Sequence, residues 1–217
     1  MAALEAVKFI KPNDIVGLGT GSTAYYAILE IGKLVAQGLH IQGVPTSVQT
    51  ANLATSLNIP LLNLEEVNVI DLTIDGADEF TSRLQLIKGG GGALFREKIV
   101  ASLTKMEIII ADAAKQVELL GKFKVPVEVV PMALKLAKQQ IDALGGTSEL
   151  RQKAGQTFIT DNGNYILDSD FGLIEEPAIL SEQLNQIEGV LAHGLFIGLT
   201  SMVIVGHDET TTIYHRN

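Results

Sequence analysis

Apolar positions in the first half of the chain fall into short unbroken runs separated by stretches with helical spacing. Ile15-Val16-Gly17-Leu18, Val69 to Ile74 and Glu107 to Ala111 predict buried strands. Thr23 to Gln37, Gln49 to Leu57 and Ala93 to Thr104 predict helices between them. Residues 2–10 predict a short helix ended by Lys11-Pro12, because proline restricts the residue before it. Smaller runs at Val44 to Ser47, Leu61-Leu62 and Leu84 to Ile87 add strands. Strands alternating with helices imply βαβ units and an open α/β fold with a mostly parallel sheet.

From Gly121 the rhythm changes. Lys124 to Val130 predicts a strand, Pro131 opens a helix as a first-turn proline can, and Gly145-Gly146 ends it. Ser148 to Lys153 and Phe158 to Thr160 predict strands, and Asp161-Asn162-Gly163-Asn164 a hairpin turn returning through Tyr165 to Asp168. A helix over Ala178 to Gln186 and a last strand over Val190 to Phe196 complete β-α-β-β-α-β, a ferredoxin-like order. Met202 to Val205 and Thr211 to Tyr214 predict a closing hairpin around His207-Asp208-Glu209 that returns to the first sheet.

Composition narrows the function classes. With 47% hydrophobic residues but only 5% aromatic ones, the core must be built from Ile, Leu, Val and Ala. The absence of cysteine excludes disulfides, thiolate metal sites and a thiol nucleophile, and fits a cytoplasmic protein. A net charge of −9 argues against nucleic acid and anionic membrane as partners, because phosphate contacts need clustered Lys and Arg. No apolar run approaches the ~20 residues of a membrane span, and the start of the chain lacks the pattern of a signal peptide. A small anionic substrate would need a local pocket of N–H groups and a lysine or two.

Three clusters carry candidate chemistry, all in loops that follow strands. The first is Gly17-Leu18-Gly19-Thr20-Gly21-Ser22-Thr23-Ala24. It loosely matches a dinucleotide fingerprint, but residues 41–56 contain neither the acid nor the arginine that such a site requires. Thr20, Gly21, Ser22 and Thr23 instead offer hydroxyls and amides at a helix N-terminus, which suits a single phosphate. The bland alternative is a tight turn with Ser22 or Thr23 as N-cap.

The second cluster is Asp75-Gly76-Ala77-Asp78-Glu79, at the C-terminal end of a strand. Its carboxylates could bind sugar hydroxyls, move protons or hold a divalent cation, or merely cap a solvated turn. The four histidines are scattered and bring no ligand close. The third is Lys88-Gly89-Gly90-Gly91-Gly92 followed by Glu97. Each glycine costs roughly 0.5–1 kcal/mol inside a regular element, so the run marks a turn whose amides can face an anion. Lys88 suits an oxyanion, and Glu97 lies on one helical face with Ala93 and Ala101, where partial burial would raise its pKa toward that of a general base; the alternative is a surface glutamate in the charged run Arg96-Glu97-Lys98. Lys115, after the next strand, could reach a phosphate or stand as a solvated lysine at a helix start. Together these groups suit proton abstraction beside the carbonyl of a small phosphorylated sugar, through an enediolate.

The segments GLGTGSTA (17–24), VPTS (44–47), DGADE (75–79), KGGGGALFREK (88–98), ADAAKQV (111–117), LGKFKVPVEV (120–129) and TDNGN (160–164) resemble the type A ribose-5-phosphate isomerases over nearly the whole chain. The resemblance implies interconversion of ribose 5-phosphate and ribulose 5-phosphate in the pentose phosphate pathway, without metal or cofactor, by a homodimer or homotetramer. It implies a Rossmann-like domain over 1–121 and 198–217, with the smaller ferredoxin-like α+β domain, 122–197, inserted before the C-terminal strands.

By position it assigns Glu97 the proton shuttle between C1 and C2, and Asp75 a part in ring opening and hydroxyl proton exchange. It gives enediolate stabilisation to Lys88 with the Gly89–Gly91 amides, sugar binding to Asp78, and phosphate recognition to Thr20–Thr23 with Lys115. The N-terminus is one to two helical turns shorter than the family pattern, at ~3.6 residues per turn, and lacks a lysine found there; Lys8 is the candidate replacement. Rival readings on similar folds are a non-catalytic sugar-phosphate sensor and an acyl-CoA transferase or amino-sugar phosphate deaminase. The DGAD and KGGGG segments together disfavour them.

Overall fold

Two sheets share one helix between them, and that sharing places the functional side chains. The computed structural model describes residues 1–207 and 209–216; Asp208, in the turn of the expected closing hairpin, lies outside them. The larger sheet contains β1 (Ile15–Leu18), β2 (Gln42–Pro45), β3 (Ile70–Gly76) and β6 (Thr104–Asp112), joined later by β14 (Met202–Gly206) and β15 (Thr211–His215). Its order is β15-β14-β6-β3-β1-β2, parallel throughout except for the edge strand β15, which pairs antiparallel with β14. The expected return of the C-terminal hairpin to this sheet is therefore seen in the strand order.

Helices α1 (Ala2–Ala6), α2 (Ser22–Ala36) and α3 (Val48–Ser56) are continuous with this sheet's first core layer, where Ala27, Ile28 and Ile31 of α2 meet Leu72, Ile108 and Ile204. Fully burying such a side chain contributes about 1.5–3 kcal/mol, so this aliphatic layer holds the helices against the sheet. Short strands β4 (Glu79–Phe80) and β5 (Leu86–Ile87) leave the C-terminal edge of the sheet and precede α4 (Leu94–Leu103).

A second sheet follows, made of β7 (Val125–Val129), β8 (Thr147–Leu150), β11 (Tyr165–Asp170) and β12 (Val190–His193). Its order is β12-β7-β11-β8 and every pairing is antiparallel. Helices α5 (Leu134–Ala143) and α6 (Pro177–Asn185) share a core with it through Ala137, Ile141, Leu180 and Leu184. Helix α4 touches β3 and β6 on one side and β7 and β12 on the other. Buried on both flanks, it has no broad polar face: Leu94, Glu97, Val100 and Ala101 are all buried.

Several expected boundaries differ for physical reasons. Val44 to Ser47 is shifted, because Thr46 and Ser47 leave the strand and Ser47 caps α3 by accepting from Thr50 N–H. Leu61 makes a single bridge to Gly43 and Leu62 joins no strand. Leu84 adopts φ 57° in a turn, so only Leu86–Ile87 of that run pairs. Phe158 to Thr160 is not a strand; the hairpin is instead β9 (Gln152–Lys153) with β10 (Gln156–Thr157), closed by Ala154-Gly155 at φ 52° and 76°. The Asp161–Asn164 turn does form, with Thr160 N–H donating to Asn164 O.

The expected strand Val190 to Phe196 is two strands. After β12 the chain breaks at Gly194, and β13 (Leu195–Phe196) pairs with β5 in a separate three-stranded sheet. Gly194 donates its N–H to Pro126 O (2.7 Å) and accepts from Lys88 N–H (2.9 Å). A methyl at its Cα would lie 2.4 Å from Lys88 O, so only glycine fits this crossing.

Candidate active site

The C-terminal ends of β1 and β3, the turn after β5 and the start of α4 converge on one cleft. It is lined by Thr20, Gly21, Ser22, Thr23, Gly76, Ala77, Asp78, Lys88, Gly89, Gly90, Gly91 and Glu97. Loops at the C-terminal edge of a parallel sheet are where such folds bind ligands. All twelve are residues that the sequence singled out. Asp75, also singled out, lies beneath the cleft and reaches it through Lys88. Lys115 lies on a short turn, Ala113–Lys115, after β6 and does not line the cleft, and Lys8 pairs with Glu5 at 2.6 Å.

One end of the cleft is the first turn of α2. Gly21 occupies the N-cap position at φ 110°, and no side chain caps the helix. Its first N–H groups therefore remain for a ligand and carry the positive end of the helix dipole. Neither Ser22 nor Thr23 is the N-cap. Thr20 fixes the turn: its N–H donates to Asp75 Oδ1 (3.1 Å), and its hydroxyl contacts those of Thr46 (2.7 Å), Ser47 (2.9 Å) and Thr50 (3.2 Å). Thr50 in turn donates to Gly19 O (2.8 Å). This hydroxyl cluster was not expected from residue type, although VPTS marked its position. Gly19 is required there, since a methyl on it would lie 2.2 Å from Asp75 Oδ1.

At the other end a buried charge cluster surrounds Lys88. Its Nζ is 2.9 Å from Asp75 Oδ2 and 3.6 Å from Glu97 Oε2, and it donates to Gly76 O. The three side chains are at most 3% exposed. Phe196, with its ring centroid 5.5 Å from Lys88 Nζ, closes the site from β13. Burial works against the Lys88 charge, but the Asp75 and Glu97 carboxylates outweigh it and hold the ammonium pKa above its ordinary value.

Glu97 shows the opposite balance. Burial, helped by Asp75 and Asp78, pushes its carboxyl up to about 8 despite the attraction of Lys88. No hydrogen-bond donor meets Glu97 Oε2 among the described residues. A carboxyl with a pKa raised to about 8 and an oxygen without a hydrogen bond, 3.6 Å from an ammonium, is suited to accept a proton from a substrate. Glu107 on β6, buried and also missing a partner at Oε2, is driven well above the ordinary range by burial and by Asp75. Composition gave no hint of this third carboxyl.

The glycine turn supplies donors between these ends. Gly90 N–H donates to Asp78 Oδ2 (2.8 Å), while Gly91 N–H has no partner among the described residues. Asp78 is itself anchored by its N–H on Ile87 O (2.8 Å). Among the described residues no three His, Asp or Glu side chains are grouped to hold a metal ion, and no helix is long and apolar enough to cross a membrane.

Fold and cleft together define an α/β protein with an uncapped helix N-terminus at one end of the cleft and a buried carboxyl–ammonium cluster at the other. The model of the family described as ribose 5-phosphate isomerase A (phosphoriboisomerase A) matches residues 42–210. The ribose-5-phosphate isomerase A of Parvibaculum lavamentivorans is 49% identical, with 98% of this chain and 95% of that protein aligned. That of Bacillus mycoides is 48% identical over 95% of this chain and 94% of its own. The solved ribose 5-phosphate isomerase A of Methanocaldococcus jannaschii superposes with a TM-score of 0.94 at 38% identity, covering 99% of this chain and 96% of that one. A D-ribose-5-phosphate isomerase solved in complex with phospho-erythronic acid gives 0.95 at 40% identity, covering 99% and 96%. This chain belongs to the ribose 5-phosphate isomerase A family.

Proposed function

We propose that this protein interconverts D-ribose 5-phosphate and D-ribulose 5-phosphate through an enediolate. The observation that carries the reading is a carboxyl pushed up to about 8, set 3.6 Å from a buried ammonium across a cleft whose far end is an uncapped helix. The first turn of α2 takes the phosphate, which anchors the sugar along the cleft toward Glu97. Glu97 removes the proton from C2 and returns it to C1. Lys88 and the Gly91 N–H meet the negative charge that grows on the oxygens, where preorganised donors act most strongly. The Asp75–Lys88 pair serves proton exchange on the hydroxyls in ring opening, with Asp78 binding the sugar. Lys115 lies outside the lining and would reach the phosphate only by moving its side chain.

Family membership supports the remaining readings: a place in the pentose phosphate pathway, a homodimer or homotetramer, a cytoplasmic setting and chemistry free of metal and cofactor. We read residues 1–121 with 198–217 as the catalytic domain and 122–197 as a ferredoxin-like unit. The antiparallel order β12-β7-β11-β8 supports that division. The return of the chain starts earlier than residue 198, since β13 already pairs with β5.

The test is an assay of the purified protein with ribose 5-phosphate, coupled to detection of the ketose, before and after exhaustive EDTA treatment. Turnover is expected in both; loss restored by one divalent ion would overturn the metal-free reading, and no turnover in either would overturn the function.

The pKa of Glu97 predicts the pH dependence. The base works deprotonated, so in the free enzyme kcat/KM should rise about tenfold per pH unit below about 8 and level off above it. Measuring from pH 6.5 upward keeps the substrate phosphate, whose second pKa is ≈ 6, out of the profile. A flat profile between pH 6.5 and 8 would contradict a Glu97 base with this pKa.

A further inference from the structure

The glycine turn is held from behind by a residue of the second sheet. Arg151 follows β8 directly, and its backbone is fixed by donating to Ile166 O (2.8 Å) and accepting from Phe158 N–H (2.9 Å). Its guanidinium grips the Asp168 carboxylate through Nε (2.9 Å) and Nη2. The remaining arm, Nη1, donates to Gly89 O (2.9 Å) and Gly90 O (3.2 Å). The Phe158 ring lies 6.0 Å from the guanidinium carbon and fills the space that a methyl on Gly92 would need. Only a planar fork can bind a carboxylate with one edge and carbonyls with the other; a lysine cannot.

Each carbonyl belongs to the peptide whose N–H is carried by the next residue. The Gly89 carbonyl is thus joined to the Gly90 N–H that holds Asp78, and the Gly90 carbonyl to the N–H of Gly91, a residue that lines the cleft and whose N–H has no partner among the described residues. A cation on a peptide oxygen draws electron density from that peptide and makes its N–H a stronger donor. It also fixes the peptide plane, and so the direction of the N–H. Asp168 holds the guanidinium in place and leaves Nη1 aimed at these two peptides.

We propose that Arg151 is a positioning residue for the isomerisation, aligning and polarising the Gly90–Gly91 peptide so that the Gly91 N–H meets the charge of the enediolate. The proposal rests on the isomerase reading above. It assigns Arg151 no contact with the substrate, and it makes the effect specific to the charged reacting end of the sugar.

The test compares Arg151→Met and Arg151→Lys with the wild type. Removing a whole oxyanion donor costs about 10²–10³-fold in kcat, and weakening one should cost on the order of 10-fold. We expect that loss in kcat for both variants, with KM for ribose 5-phosphate within about twofold. Affinity for phospho-erythronic acid, whose carboxylate stands in for the enediolate oxygens, should fall by a similar factor. Affinity for ribitol 5-phosphate, which carries no charge at the reacting end, should stay unchanged.

Wild-type kcat in both variants would overturn the proposal. So would parallel weakening of all three compounds, which would mean that the cleft had lost its shape. Should the methionine variant fail to fold, the lysine variant retains the charge without the fork and decides the question by the same measurements. A wild type without turnover would defeat the isomerase reading instead, which separates the two failures.

Discussion

Replacing Glu97 with glutamine is expected to reduce turnover of ribose 5-phosphate by about 10²–10⁴-fold while leaving substrate affinity nearly unchanged. Glutamine has the same shape but cannot take a proton from carbon. The phosphate anchor proposed at the first turn of α2 does not involve Glu97, so binding should survive. The same substitution should make the protein more stable near neutral pH. A carboxyl whose folded pKa is raised to about 8 contributes stability only while it stays protonated, below its ordinary 4.5, and loses it as the pH rises toward 8. Glutamine is never charged and escapes that loss. The thermal midpoint of the variant should therefore exceed that of the wild type by a margin that widens from pH 5 to pH 8. Turnover within tenfold of wild type would remove Glu97 from the mechanism, and a margin that does not grow with pH would contradict its raised pKa.

Lys88→Met is expected to damage both activity and folding. Its ammonium is the buried cation beside Asp75 and Glu97, at 2.9 and 3.6 Å, with Glu107 also raising its pKa. Removing one member of a buried ion pair leaves the other charge uncompensated, at a cost of about 3–5 kcal/mol. Turnover should fall by at least the ~10²–10³-fold of a lost oxyanion donor. Any residual activity should appear at higher pH, because Lys88 holds the Glu97 pKa down. Urea midpoints and kcat measured on one preparation separate the two effects. A variant as stable and as active as wild type would show that Lys88 neither balances the carboxylates nor meets the enediolate.

The parts of the site that were legible in the sequence are those that local chemistry dictates. Glycines after strands, acids at a strand end and a lysine before a glycine run each need only a few neighbouring residues to be recognised. Thr20–Thr23, Asp78, Lys88, Gly89–Gly91 and Glu97 all line the cleft for that reason. The rest depends on contacts distant along the chain. Arg151 meets Gly89 across 62 positions and β13 meets β5 across more than a hundred, so no window of sequence contains either pair. The β9–β10 turn was missed because Ala154 takes a positive φ that normally marks Asn or Gly. Glu107 reads in the sequence only as the first residue of a buried strand, and a strand assignment does not say that its carboxyl would join Asp75 and Glu97 around Lys88.

The crossing at Gly194 has a consequence for how such a protein can change. The Lys88 backbone is bonded to Gly194, and Gly194 is bonded to Pro126 at the first strand of the second sheet. A chimera that imported the smaller sheet from another protein would have to bring positions 126 and 194 in matched register, or lose the anchor that aims Lys88. The cleft and the smaller sheet are therefore tied through the main chain, so that a shift of one sheet's backbone at this crossing carries to the Lys88 backbone.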